Sequence, residues 1–147
     1  NAGKKKISTL SGRKKNAKQK RLTMYDNDNL TGKVIGCAIE VHRHLGPGLL
    51  ESAYQQCLAH ELKLNNISFK VEQSMPVEYK GLKLDCGYRL DLIIEDILIL
   101  ELKSVIKLLP IHQAQLLTYL KLAEISTGLL INFNEEVLKN GIKRFVL

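Results

Sequence analysis

Apolar positions along the chain follow two different periods, and the changes of period lay out the elements. Leu30, Val34, Ala38, Val41 and Leu45 recur at three- and four-residue intervals, the spacing of one helical face, and Gly46-Pro47 stops the run. The spacing predicts a helix from Asp28 or Asn29 to Leu45. Gly48-Leu-Leu-Glu51-Ser-Ala-Tyr54 opens a second helix to about Leu64, closed by Asn65-Asn66. The period then shortens. Residues 68–73, 76–79 and 82–86 read as strands, with Lys80-Gly81 as a turn between the last two. Residues 90–94 and 97–102 are nearly continuous apolar runs of strand length, as expected for strands covered on both faces. Pro110 begins a helix to about Glu124; residues 127–133 read as a buried strand and 142–147 as a last, edge strand. The pattern predicts an α/β (α+β) domain, a mixed and mostly antiparallel sheet flanked by helices.

Three charges interrupt the most apolar part of this pattern. Asp91 lies in the first run of the central hairpin, and Glu101 and Lys103 lie at the end of the second. An unpaired buried charge costs an amount comparable to a small protein's whole margin of stability, so something must compensate these three. Glu101 and Lys103 are two apart and leave the same face of a strand. Whether Asp91 joins them depends on the parity of the connecting loop. An odd loop, such as Glu95-Asp96-Ile97, sets Asp91 opposite Glu101; a two-residue turn at Glu95-Asp96 would pair Asp91 with Leu100 and send the carboxylates to opposite faces. Two carboxylates at adjoining strand positions make an oxygen site for a hard cation, and a lysine beside them can hold a water or phosphate oxygen. The plainer alternative is a structural Glu-Lys pair at a frayed strand end, with Asp91 unrelated.

Charge is unevenly distributed. The net charge is +7, but residues 1–21 hold nine Lys/Arg and no acid; the remainder carries 13 basic against 15 acidic residues, or −2. With no helical or strand period and few large apolar residues, residues 1–23 are expected to be a disordered basic tail, and residues 24–147 a single domain. The tail is either an arm for nucleic acid or another polyanion, or an addition ahead of a domain starting near Met24. It lacks the apolar core of a signal peptide, and no later stretch is long enough for a membrane span. Cys37, Cys57 and Cys86 are odd in number and widely spaced, which suits small core residues in a reducing, cytoplasmic setting. His42 and His44 sit near the end of the first helix and point apart, so charge compensation at a helix C-terminus fits them better than a shared metal. An acid in a first helical turn also accounts for Glu51, burial for Tyr54, and a solvated helix edge for His112, Gln115 and Tyr119.

Gly48, Glu51 and Tyr54 spell GxxExxY, and the chain from about Leu30 to Leu147 resembles the bacterial GxxExxY family of the PD-(D/E)XK nuclease superfamily. The resemblance rests further on Asp91, on Glu101-Leu102-Lys103, and on Gln115-Leu-Leu-Thr-Tyr119, which is similar to the QxxxY element of the recombination-nuclease branch. Leu90 precedes Asp91 where the superfamily motif has proline, a departure that many members share. The resemblance implies a restriction-endonuclease-like core. It further implies that Asp91, Glu101 and the Leu102 carbonyl ligate Mg2+, or Mn2+ in its place, with Glu51 completing the site directly or through water. Lys103 would orient the attacking water, and Gln115 and Tyr119 would hold the strand backbone or the lysine. Two functions follow: a Mg2+-dependent nuclease, on DNA rather than RNA, or a non-catalytic nucleic-acid or protein-binding module that keeps the fold. The intact acid-acid-lysine set favours the first. The −2 charge of residues 22–147 favours the second, although Lys80, Lys83, Arg89 and Lys107 offer a basic rim. The expected partner is nucleic acid and not a membrane, and a homodimer is compatible with the reading.

Overall fold

The computed structural model describes residues 17–85 and 87–147, with side chains from residue 28 onward. Helix α1 spans Ala17–Leu45. It starts well before the predicted Asp28 or Asn29 and takes in residues 17–23, which the sequence pattern assigns to the tail. The physical reason lies in residues 17–27, which lack Gly and Pro and are rich in Lys, Gln, Arg, Leu and Met, straight-chain residues that lose little rotamer freedom in a helix. The rest of the tail, residues 1–16, and Cys86 lie outside the described residues. Helix α2 (Glu51–Leu64) follows and packs along α1.

The strands are β1 (Phe69–Ser74), β2 (Val77–Tyr79), β3 (Leu82–Leu84), β4 (Arg89–Ile94), β5 (Leu98–Lys103), β6 (Thr127–Asn132) and β7 (Ile142–Val146), with helix α3 (Pro110–Ala123) between β5 and β6. Five strands form one sheet in the order β1-β4-β5-β6-β7. All its neighbours are antiparallel except β5 and β6, which run parallel, as a crossover through α3 requires. The mixed, mostly antiparallel sheet is the one the pattern predicts. Strands β2 and β3 differ from expectation: they pair with each other and stand apart as a separate two-stranded sheet. Every residue of β3 is exposed and in β2 Val77 alone is half-buried, and no residue of the ribbon belongs to either core cluster.

Alternation sorts the sheet into two buried faces. Leu92, Ile94, Leu98, Leu100, Leu102, Leu129 and Ile131 pack with α1 and α2 through Val34, Ala38, Tyr54, Leu58 and Leu62. Ile99 and Leu130 point the other way, toward Leu116, Tyr119 and Leu120 of α3. Gly128 lets α3 approach the sheet closely, because a Cβ there would lie 2.9 Å from a methyl group of Leu116. With both faces covered, β5 is buried throughout apart from half-buried Lys103, and β6 is buried along its whole length.

Candidate active site

The β4–β5 hairpin closes through a three-residue loop, Glu95-Asp96-Ile97. Glu95 and Asp96 take left-handed φ values of 51° and 58°, and the Ile97 N–H returns to the Ile94 carbonyl at 3.0 Å. The pairs Ile94–Leu98, Ile93–Ile99 and Leu92–Leu100 set the register, and its continuation places Asp91 opposite Glu101. The odd loop that a shared carboxylate site requires is therefore present. Beyond Leu92 side chains replace the ladder: the Leu102 N–H donates to Asp91 Oδ2 at 2.8 Å, and the Asp91 N–H donates to Glu101 Oε1 at 3.4 Å.

These contacts hold two acids together where water is scarce. Glu101 is only 5% exposed, and Asp91 is half-buried. Burial, reinforced by the negative charge of Asp91, pushes the Glu101 carboxyl up to about 8, against the Asp91 N–H and the Lys103 ammonium. Burial also raises Asp91, against the Leu102 N–H and Lys103. Lys103 thus acts on both acids through space, yet among the described residues no carboxylate lies within 4.0 Å of its Nζ.

Glu51 arrives from the other side of the fold, as the first residue of α2. Its Oε1 accepts the Ser104 N–H at 3.3 Å, and its charge raises the proton affinity of both Asp91 and Glu101. The GxxExxY spacing has a local explanation here. Gly48 has a φ of 97°, which a side chain would strain, and buried Tyr54 ties the loop down. Its hydroxyl donates to the Gly46 carbonyl at 2.5 Å and accepts the Leu49 N–H at 3.1 Å, while its ring stacks on Phe133 at 4.4 Å. Tyr54 is a buried clamp that fixes the helix start, and with it Glu51.

On α3, the Gln115 Nε2 donates to the Tyr119 hydroxyl at 2.8 Å. Tyr119 is buried in the α3-side core, not at a solvated helix edge, and burial together with nearby Glu101 raises its phenol. Among the described residues, the hydrogen bond of these two side chains is to each other and not to the strand backbone or the lysine, the partners that the family resemblance implies. His112 instead accepts the Leu109 N–H through Nδ1 at the start of α3. The two helix-end histidines part company as expected, His42 to the Glu135 carbonyl at 2.7 Å and His44 to Glu40 at 3.0 Å.

Two residues near the site went unread in the sequence. Ser104 bonds Glu51 through its N–H and the Leu49 carbonyl through its hydroxyl. Asn132, fully buried, accepts the Val105 N–H at 3.1 Å and donates to the Val105 carbonyl at 2.9 Å, so its amide extends the β5–β6 pairing past the last ladder residue. An amide inside the buried run 127–133 is the signal that points to it.

Among the described residues no three His, Cys, Asp or Glu side chains gather closely enough to hold a metal ion by themselves. Asp91 and Glu101 nevertheless suit a cation that keeps most of its own waters. Mg2+ is commonly held by one or two carboxylates, and two crowded buried acids gain from any positive charge placed between them. The model of a PD-(D/E)XK nuclease superfamily family matches residues 28–145, more than three quarters of the chain, and the chain belongs to that superfamily. Its members are generally nucleases and typically use divalent metals. No curated protein and no solved structure matches the chain. Among the described residues no helix is long and apolar enough to cross a membrane.

Proposed function

We propose that the protein is a metal-dependent nuclease of the GxxExxY branch, hydrolysing phosphodiester bonds with Mg2+ or Mn2+ and acting on DNA rather than RNA in the cytoplasm. One observation carries the reading: half-buried Asp91 and buried Glu101 face each other, with raised proton affinity and Lys103 nearby. Two acids opposed in a water-poor site cannot both ionise without cost unless a cation joins them, so the arrangement makes sense as a cation site and not as a stabilising pair.

In this reading Asp91, Glu101 and the Leu102 carbonyl would hold the metal, and Glu51, which bonds the Ser104 N–H, would join them directly or through water. A cation held there would offset the negative charge of a phosphate group. Lys103, with no close carboxylate partner among the described residues, orients the attacking water and stabilises charge growing on the phosphate. Tyr119 walls the site on the α3 side, and Gln115 fixes its hydroxyl, which keeps bulk water from Glu101.

The decisive measurement is cleavage of labelled single-stranded, duplex and branched DNA with and without Mg2+, alongside thermal stability under the same conditions. Cleavage that needs the metal, and a melting temperature raised by it, support the reading. A protein that binds DNA but never cleaves it is a binding module that keeps the fold.

A further inference from the structure

A groove leaves the candidate site beside Glu51. Two adjoining clefts, of about 480 and 700 Å3, share Leu49, Leu50 and Ser104 as common walls. Glu51 lines the first, and the second continues past Ile106 and Leu109 to His112 and Asn134. Its walls are held from below. Ser104 is tied to Leu49, and Val105 is held at both its N–H and its carbonyl by buried Asn132. Above this fixed floor stand apolar side chains with little cover: Ile106 is 94% exposed, Leu50 76% and Leu109 48%.

We infer that this groove receives single-stranded nucleic acid, its unpaired bases lying against Leu50, Ile106 and Leu109 while the backbone runs toward the carboxylate pair. The inference rests on the nuclease reading and narrows its substrate. A duplex presents two outward rows of phosphates and hides its base faces, so gripping one demands cations along both rows. Among the described residues Lys107 is the one lysine in the groove lining, with no arginine beside it, and residues 22–147 carry a net −2. An unpaired strand offers the opposite surface. Its base faces are flat and weakly polar, and their burial against aliphatic side chains is non-directional and so indifferent to sequence. Glu51 and Ser104, next in the chain to Lys103, bring such a strand to the margin of the site, and Lys107 and His112 suit the single row of phosphates that accompanies it.

The test measures binding by fluorescence anisotropy on the full chain, for the parent and for Ile106→Ala. The probes are a short labelled DNA strand and a duplex of the same sequence, with Ca2+ replacing Mg2+ and the strands checked intact afterwards. Because Ile106 is almost fully exposed, the substitution leaves folding alone, and the basic N-terminal residues are common to both proteins. The parent should prefer the single strand. Ile106→Ala should weaken that binding roughly 5- to 10-fold, the worth of part of one apolar side chain, and leave duplex binding unchanged. Unchanged single-strand affinity, or an equal loss on duplex, overturns the inference. So does a shift in sedimentation caused by Ile106→Ala, which would make the patch a contact between protein chains. Failure of the two readings is separable. A single-strand preference sensitive to Ile106, without cleavage in Mg2+, fails the nuclease reading alone. Metal-dependent cleavage with no effect of Ile106→Ala fails the groove alone.

Discussion

The two hairpins of this chain are built on opposite rules. The β2–β3 ribbon turns through two residues, Lys80 and Gly81, both with positive φ, the geometry that matches the natural twist of paired strands. It is exposed, and across it Glu78 faces Lys83, an attractive pair in water. The β4–β5 hairpin turns through three residues and is buried on both faces, and at its open end Asp91 faces Glu101. Opposite charges meet where water makes their attraction cheap, and like charges meet where water is excluded and their repulsion is strong. A sheet selected for stability alone would exchange those placements. The buried pair is therefore the part of the fold that answers to something outside the chain, a cation or a proton.

The sharpest way to break this comparison is Glu101→Gln, nearly isosteric and one charge fewer. Cleavage should fall below detection, and the rise in melting temperature caused by Mg2+ should disappear while the fold persists. Retained cleavage would remove Glu101 from the metal site. Lys103→Met should slow turnover about 100- to 1000-fold, the usual cost of one electrostatic stabiliser, yet keep the Mg2+-dependent thermal shift. A loss of both together would make Lys103 a structural partner of the acids.

Without metal, the same pair makes stability depend on pH. The folded-state proton affinity of Glu101 is raised from the ordinary 4.5 to about 8, and Asp91 moves in the same direction. The folded chain thus holds these protons more tightly than the unfolded one. The resulting stability is fully present below the unfolded value and is lost as pH rises through the folded value. In EDTA, urea midpoints should report a loss on the order of 2 kcal/mol between about pH 5 and about pH 9, much reduced in Glu101→Gln, where only Asp91 remains to titrate. A flat profile in the parent would mean that the two acids are solvated and do not crowd each other. The smallest effect belongs to the other hairpin. Glu78→Gln should move stability by less than about 0.5 kcal/mol, since an exposed pair contributes little. A larger loss would show that the ribbon packs against something.

The sequence pattern located nearly every element, because burial on one face or two imposes the periods that an apolar count detects. It also stated the condition for the site, an odd loop, without deciding it. Ile97 is apolar and extends the strand pattern, yet it is a half-buried loop residue, and alternation cannot separate those two cases. The start of α1 was hidden for a different reason. Lysines and arginines that favour a helix also read as a charged tail, and only the continuation into Leu30 and Val34 distinguishes them. The detachment of β2–β3 turns on which strands find partners, which no local pattern encodes. Gln115 and Tyr119 were placed correctly on one face of α3, but their four-residue spacing permits a bond to each other as readily as to the strand. Asn132 was passed over inside an apolar run, although a lone amide there must find partners, and it finds both in Val105.

The ends of the sheet have a consequence for assembly. A strand with one side unpaired is a template for another chain, and both terminal strands here are poor templates. Strand β7 carries Lys143 and Arg144 in its middle, and Arg144 is ion-paired to Asp28 of α1. Strand β1 is interrupted at Glu72, whose φ of 49° breaks the extended conformation that a new neighbour would need. Copies of this protein are thus discouraged from joining sheet to sheet, and its surface is guarded against fibrillar stacking at both margins.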